Sequence, residues 1–152
     1  MNSFRNIILL LVFLINPNIV SANTSDFIGV IGAAIGDIKN QKNEKLVNGS
    51  KIFYGDTIIS KEQSNAQILF LDQTVLTLGE DTELTIDEFI FDPTSHEGSF
   101  VSNVKSGTVK FITGQISKKN PDNLEVKIPS GTLGARGTEF VVLSESNDKS
   151  TV

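Results

Sequence analysis

QILFLDQTVLTLGEDTELTIDEFIF, residues 67–91, holds three apolar runs parted by Asp72-Gln73 and Gly79-Glu80-Asp81. β-branched and aromatic residues fill the runs, which favours strands over helix. Along an extended chain Leu76 and Leu78 share one face, with Val75 and Thr77 on the other. Leu84 and Ile86 share a face in the same way. Phe89 and Phe91 stand at odd spacing from Ile86, so one regular strand cannot place all of them together. One extra residue reverses the facing of everything after it, so a bulge or bend is expected near Asp87-Glu88. Ile68-Leu69-Phe70-Leu71 is apolar without alternation, which predicts a central strand covered on both faces.

The pattern extends outward from this block in both directions. Upstream, FIGVIGAAIGDIKN (27–40) is a strand stretch punctuated by Gly29, Gly32 and Gly36, with a bend at Gly36-Asp37. Asn48-Gly49 and Gly55-Asp56 are turn dipeptides. Between them, Ile52-Phe53-Tyr54 is a brief strand or a buried plug, and Thr57-Ile58-Ile59 follows. Downstream, Asp92–Gly98 is a loop by composition. Phe100–Lys105 alternates weakly, and Gly107 opens TVKFITGQI, in which Val109 and Phe111 share a face. SKKNPDN (117–123) is an exposed loop, and Leu124, Val126 and Ile128 alternate cleanly with Glu125 and Lys127. Glycines punctuate 131–137, Thr138–Leu143 is a last apolar strand, and the tail is polar. No stretch carries a convincing amphipathic helix. About ten short strands at the turn spacing of all-β proteins predict one all-β domain. Its form is either a twisted β-sandwich or a short β-solenoid, the latter suggested by Gly-Asp breaks recurring at 36, 55 and 79.

Residues 1–22 read as a signal peptide. A head with Arg5 precedes the apolar run Ile7–Ile15, Asn16-Pro17-Asn18 breaks it, and Val20-Ser21-Ala22 sets small residues at the cleavage positions. A bilayer span needs about 20 apolar residues, and this run is about half that. The alternative is an uncleaved anchor. The chain is therefore expected to be periplasmic or secreted. The remaining residues are enough to bury a sizeable core. There is no cysteine, which excludes disulfides and thiol chemistry and leaves packing and strand pairing to hold the fold. The formal charge is −5, and loss of Arg5 makes it more negative. An acidic domain repels phosphate backbones and anionic bilayers, so nucleic acid and membrane surfaces are poor partners.

Motifs for chemistry are sparse. His96 is the one histidine, in a loop beside Asp92, Ser95 and Glu97. Adjacency in sequence does not make a triad, and a zinc site needs more ligands. Glu80-Asp81 and Asp87-Glu88 are carboxylate pairs, but neighbours on a strand point to opposite faces and do not flank one bond by themselves. Glu80 and Asp81 suit capping of turn amides better than calcium, whose loop spacing is missing. GTLGARGT (131–138) has three glycines but lacks the lysine of a phosphate loop. The triplets at Asn23 and Asn48 match the glycosylation pattern, which matters only in a eukaryotic secretory route. No catalytic residue, metal site or cofactor is expected.

The order of the signals resembles the FecR domain of bacterial envelope proteins. Gly55-Asp56 precedes Thr57-Ile58-Ile59, then Ala66-Gln67-Ile68-Leu69-Phe70-Leu71-Asp72. Leu76-Thr77-Leu78-Gly79 leads into Thr82-Glu83-Leu84-Thr85-Ile86. Gly107-Thr108-Val109 and Ile128-Pro129-Ser130-Gly131 follow, closed by Arg136-Gly137-Thr138-Glu139-Phe140. The resemblance covers 27–152 and implies an all-β periplasmic domain without enzymatic activity. The best-known members relay a signal from an outer-membrane receptor to a sigma factor through a membrane helix and a cytoplasmic segment. Here a signal peptide stands in place of that helix, so direct sigma-factor control is not expected. Such domains usually continue past the Phe140 strand into another hairpin. The sequence stops at Thr151-Val152, so either it is truncated there or an edge is expected to stand open to β-augmentation or self-association. Arg136 has two readings: contact with a partner carboxylate, or pairing within the turn at the end of the core. The expected function is a binding or signalling-type domain with a protein or glycan partner in the envelope. The alternative is a polysaccharide-active enzyme or glycan-binding module on a solenoid, which needs carboxylates converging in a groove.

Overall fold

The structure, a computed structural model, describes residues 26–134, 137–145 and 150–151. The expected signal peptide and Arg136 lie outside the described residues. Among those described, twelve strands form: β1 (Gly29–Ile35), β2 (Ile38–Asn40), β3 (Lys51–Ile52), β4 (Thr57–Ser60), β5 (Asn65–Phe70), β6 (Val75–Leu78), β7 (Thr82–Phe91), β8 (Gly98–Ile112), β9 (Leu124–Ile128), β10 (Gly131–Gly134), β11 (Glu139–Ser144) and β12 (Ser150–Thr151). They join into one sheet, in the order β2-β4-β7-β8-β6-β5-β1-β3, with β9-β10 and β11-β12 branching from β8. The sheet curls on itself as an open half-barrel around one core.

This corrects the choice between sandwich and solenoid. Every strand pair is antiparallel except β8 with β9, whereas a solenoid stacks parallel coils. Two separate layers are also excluded, because β8 belongs to both halves. Its first part, Gly98–Ser106, pairs with β7, and Phe100–Asn103 within it also pairs with β9. Its second part, Gly107–Ile112, pairs with β11, and Val109–Ile112 also pairs with β6. We refer to the first side (β2, β4, β7, β9, β10) as the B half. The second side (β1, β3, β5, β6, β11, β12) is the A half.

The sequence pattern explains how β8 serves both. Phe100, Ser102 and Val104 point inward, and so do Val109 and Phe111. The odd step from Val104 to Val109 requires one extra residue. Pairing steps from Leu84–Val104 to Glu83–Ser106, leaving Lys105 as a bulge. Two residues on, Gly107 takes φ +88. A break expected between two strands is thus a fold line within one 15-residue strand. The second bulge falls where the sequence places it. Ile86 pairs with Ser102 and Glu88 with Val101, so Asp87 is the extra residue. Phe89 and Phe91 then return to the core side and Ile90 is exposed.

The core takes the alternation at its word. Leu76, Leu78, Leu84, Ile86, Val109, Phe111 and Val126 are each fully buried, and each such side chain stabilises by about 1.5–3 kcal/mol. Phe70, Phe89 and Phe100 form one aromatic cluster, with centroids 4.7 to 5.5 Å apart. Phe111 stacks on Phe140 at 4.8 Å, which ties β11 to β8.

Two local expectations fail. A helix, α1 (Gln115–Lys119), and a 3₁₀ turn at Pro121–Asn123 replace the strand end and loop read there. Five residues are too few to show a helical period, and the helix is held from outside. Gln115 donates its amide to the Asp72 carbonyl at 2.7 Å, and Gly114 donates to Thr74 Oγ1 at 3.0 Å. Ile116 then plugs the end of the core at 1% exposure. Ile68-Leu69-Phe70-Leu71 does form a central strand, between β1 and β6. It is covered on one face only: Ile68 and Phe70 are buried, while Leu69 and Leu71 are 39% and 51% exposed. The polar tail contributes β12, which pairs with Leu143 and Ser144.

Candidate functional site

The two halves of the sheet present different outer faces. On the B half several outward positions are charged. Glu83 meets Lys105 at 3.0 Å and Asp87 meets Lys127 at 3.0 Å, with Glu125 alongside. On the A half, strand register aligns Val30, Leu69, Val75 and Ile112 in one row across β1, β5, β6 and β8. Val141 and Leu143 extend the face on β11, at 47% and 40% exposure. The charges amid these residues are Lys110 and Glu139, which pair with each other at 2.7 Å. The row ends at Glu139 on β11, and Val141 and Leu143 stand beside Lys110 and Thr108 in the rows below. Scattered exposed apolar residues are ordinary, but an apolar row across four strands suits an interaction surface. Of these residues only Leu69 falls in the run Ile68–Leu71, which the sequence leads one to expect covered on both faces. Leu69, and Leu71 just past the end of β5, are exposed.

The candidates for chemistry do not come together. His96 is exposed, in a left-handed turn at φ 60, its ring stacked on Phe91 at 6.4 Å. Ser95 Oγ donates to Asp92 Oδ2 at 3.0 Å, so the loop hydroxyl serves the carboxylate that shapes the turn. Glu80 accepts the Gln63 amide at 2.9 Å, in the turn-capping role expected of it. Asp87 is engaged with Lys127 on the outer face of the B half. Among the described residues no three His, Cys, Asp or Glu side chains are grouped to hold a metal. Arg136 lies outside the described residues, but Gly137 and Thr138 are held in place. Thr113 donates its amide to the Thr138 carbonyl at 2.9 Å and its hydroxyl to the Gly137 carbonyl at 3.0 Å.

Two predictions follow from the polar side. Lys127→Ala should change stability by less than about 1 kcal/mol, because the Asp87–Lys127 pair is partly open to water. Chemical denaturation measures this, and a larger loss would mean that the bulge depends on the ion pair. The second concerns Asp92, whose carboxyl is held below its ordinary pKa, first by the Thr94 amide and then by the Ser95 hydroxyl. A lowered folded value means that the turn is at full strength above the ordinary carboxylate range and weakens as pH falls through the folded value. The Thr94 amide shift in an NMR titration should therefore report a midpoint below that of an unstructured aspartate. A midpoint at or above it would contradict the turn geometry.

The class defined so far is an all-β domain with a curled sheet, one polar outer face and one apolar one. The family described as FecR protein matches residues 56–152. The chain belongs to the FecR family, a family of signalling-type domains of the envelope. The match begins after β1–β3, yet β1 pairs with β5 along its length, and Ile31 and Ile52 lie in the same core. Searches of curated proteins and of solved structures found no match.

Proposed function

We propose that this chain is an exported, non-enzymatic interaction domain of the bacterial cell envelope, working in the periplasm or outside the cell. Its partner is a protein, met on the outer face of the A half. The observation that carries this is the row Val30–Leu69–Val75–Ile112, apolar side chains set across four strands, with Leu69 and Ile112 exposed and Val30 and Val75 half-buried. Covering them releases ordered water at about 25 cal/mol for each Å² removed. Family membership supports a role in envelope signalling. No helix among the described residues is long and apolar enough to cross a membrane. Arg136 is proposed as a further partner contact. The polysaccharide-active alternative draws no support from the placement of Asp87, which is paired with Lys127.

The test is a photoreactive amino acid placed at Leu71 in cells exporting the full chain, with Glu125 on the opposite half as control. Adducts at Leu71 and not at Glu125 are expected. Equal labelling at both positions, or none at either, would refute an interaction role for this face.

A further inference from the structure

We infer that the apolar face of the A half stacks on a second copy of this chain, related by a two-fold axis. The inference rests on the proposed interaction face and names its occupant. Charge is the first argument. The chain carries a formal charge of −5, so two copies repel unless they meet where the surface is neutral. The B half offers no such place, since Glu83, Asp87, Glu125, Lys105 and Lys127 all point outward there. On the A half the charges among the apolar rows are one Lys110 and one Glu139, already joined at 2.7 Å. A two-fold stack brings self-complementary surfaces together, and each copy's Lys110 can then meet the other's Glu139.

Size is the second argument. Five strands about 4.8 Å apart, each about six residues long at about 3.3 Å per residue, make a face of about 24 by 20 Å. Two such faces bury about 1,000 Å², the lower bound for a specific interface. An interface of that size belongs with the weak, reversible ones. The sheet edges offer less, since the edge strands β2, β3, β10 and β12 span only two to four residues each.

Analytical ultracentrifugation of the full chain, as exported and processed by its host, tests this between about 1 μM and 1 mM. A concentration-dependent dimer is expected. Val75→Lys, which sets a charge between Leu69 and Ile112 in both copies, should weaken it by about 100-fold or more. Val141→Lys, at an already exposed position, should weaken it by at least about 10-fold and remains available if Val75→Lys fails to fold. Thr85→Lys, on the outer face of the B half, should leave it unchanged, as should conditions that affect edge pairing alone. A monomer at every concentration overturns the dimer, as does a dimer indifferent to Val141→Lys. The photo-adduct at Leu71 separates the two readings. An adduct of twice the chain mass supports the second copy. An adduct only with a different protein overturns the dimer and keeps the interaction face. No adduct at all overturns both.

Discussion

Gly107→Val is expected to unfold the domain or to lower its melting temperature by more than about 10 °C. Two costs combine there. The residue takes φ +88, a region that side chains with a Cβ resist by about 1–3 kcal/mol. A Cβ would also sit 2.3 Å from Thr82 Oγ1 and 2.5 Å from Thr82 Cα. The neighbour cannot retreat. Thr82 Oγ1 accepts the Thr108 amide at 3.1 Å, and Thr82 pairs with Ser60 on the neighbouring strand. The shift would have to be taken by backbone at the line where β8 passes from one half to the other. A total of about 4 kcal/mol is expected, and a domain of this size loses about 3–4 °C per kcal/mol. Gly55→Ala is the matched control: its φ is +80, but nothing lies within 4 Å of the added carbon. It should cost about 1 kcal/mol. Equal melting shifts for the two variants would show that crowding at Thr82 contributes nothing.

Asp72→Ala is the second large loss, at about 3 kcal/mol by denaturation. Asp72 is fully buried, in the turn between β5 and β6. Its carboxyl accepts the Thr74 amide at 3.0 Å, the Thr74 hydroxyl at 2.8 Å and the Ile116 amide at 3.4 Å. Removing the acceptor leaves these donors in a dry site, at about 1–3 kcal/mol for each one unsatisfied. Replacement by solvent is blocked by close packing, since a Cβ on Gly114 would lie 2.3 Å from the Asp72 carbonyl oxygen. The loss should fall on α1 first, so the Asn120 amide, which donates to the Ile116 carbonyl, should exchange faster. Asp72→Asn keeps one acceptor oxygen and should lose about half as much. A change below about 1 kcal/mol in Asp72→Ala would mean that the turn and α1 are held by other contacts.

Asp72 also shows what a linear reading misses. It was visible in the sequence as a polar break between two apolar runs, and the turn is there. Its second task, receiving the amides of a helix more than forty positions later, leaves no local trace. The same limit explains α1, whose ends are fixed by tertiary bonds and not by a period. The strands of the B half and their facings were legible because alternation is a local property: Leu84, Ile86, Phe89 and Phe91 placed the bulge at Asp87 from parity alone. Gly107 was seen as punctuation, but whether a glycine ends a strand or bends one depends on what pairs beyond it. The apolar face was the least legible part. Leu69 and Leu71 look the same in sequence whether their own chain or another covers them. Arg136, singled out from its motif, lies outside the described residues, and its role is a proposal.

The 15-residue strand β8 has a mechanical consequence. A ribbon that threads both walls of a shell makes them open and close as one object. Strain applied at Ile112 has an unbroken peptide path to Gly98, at the far rim. The bend at Lys105 and Gly107 is the one irregularity on that path, so the geometry of those residues sets how the two walls stand to each other.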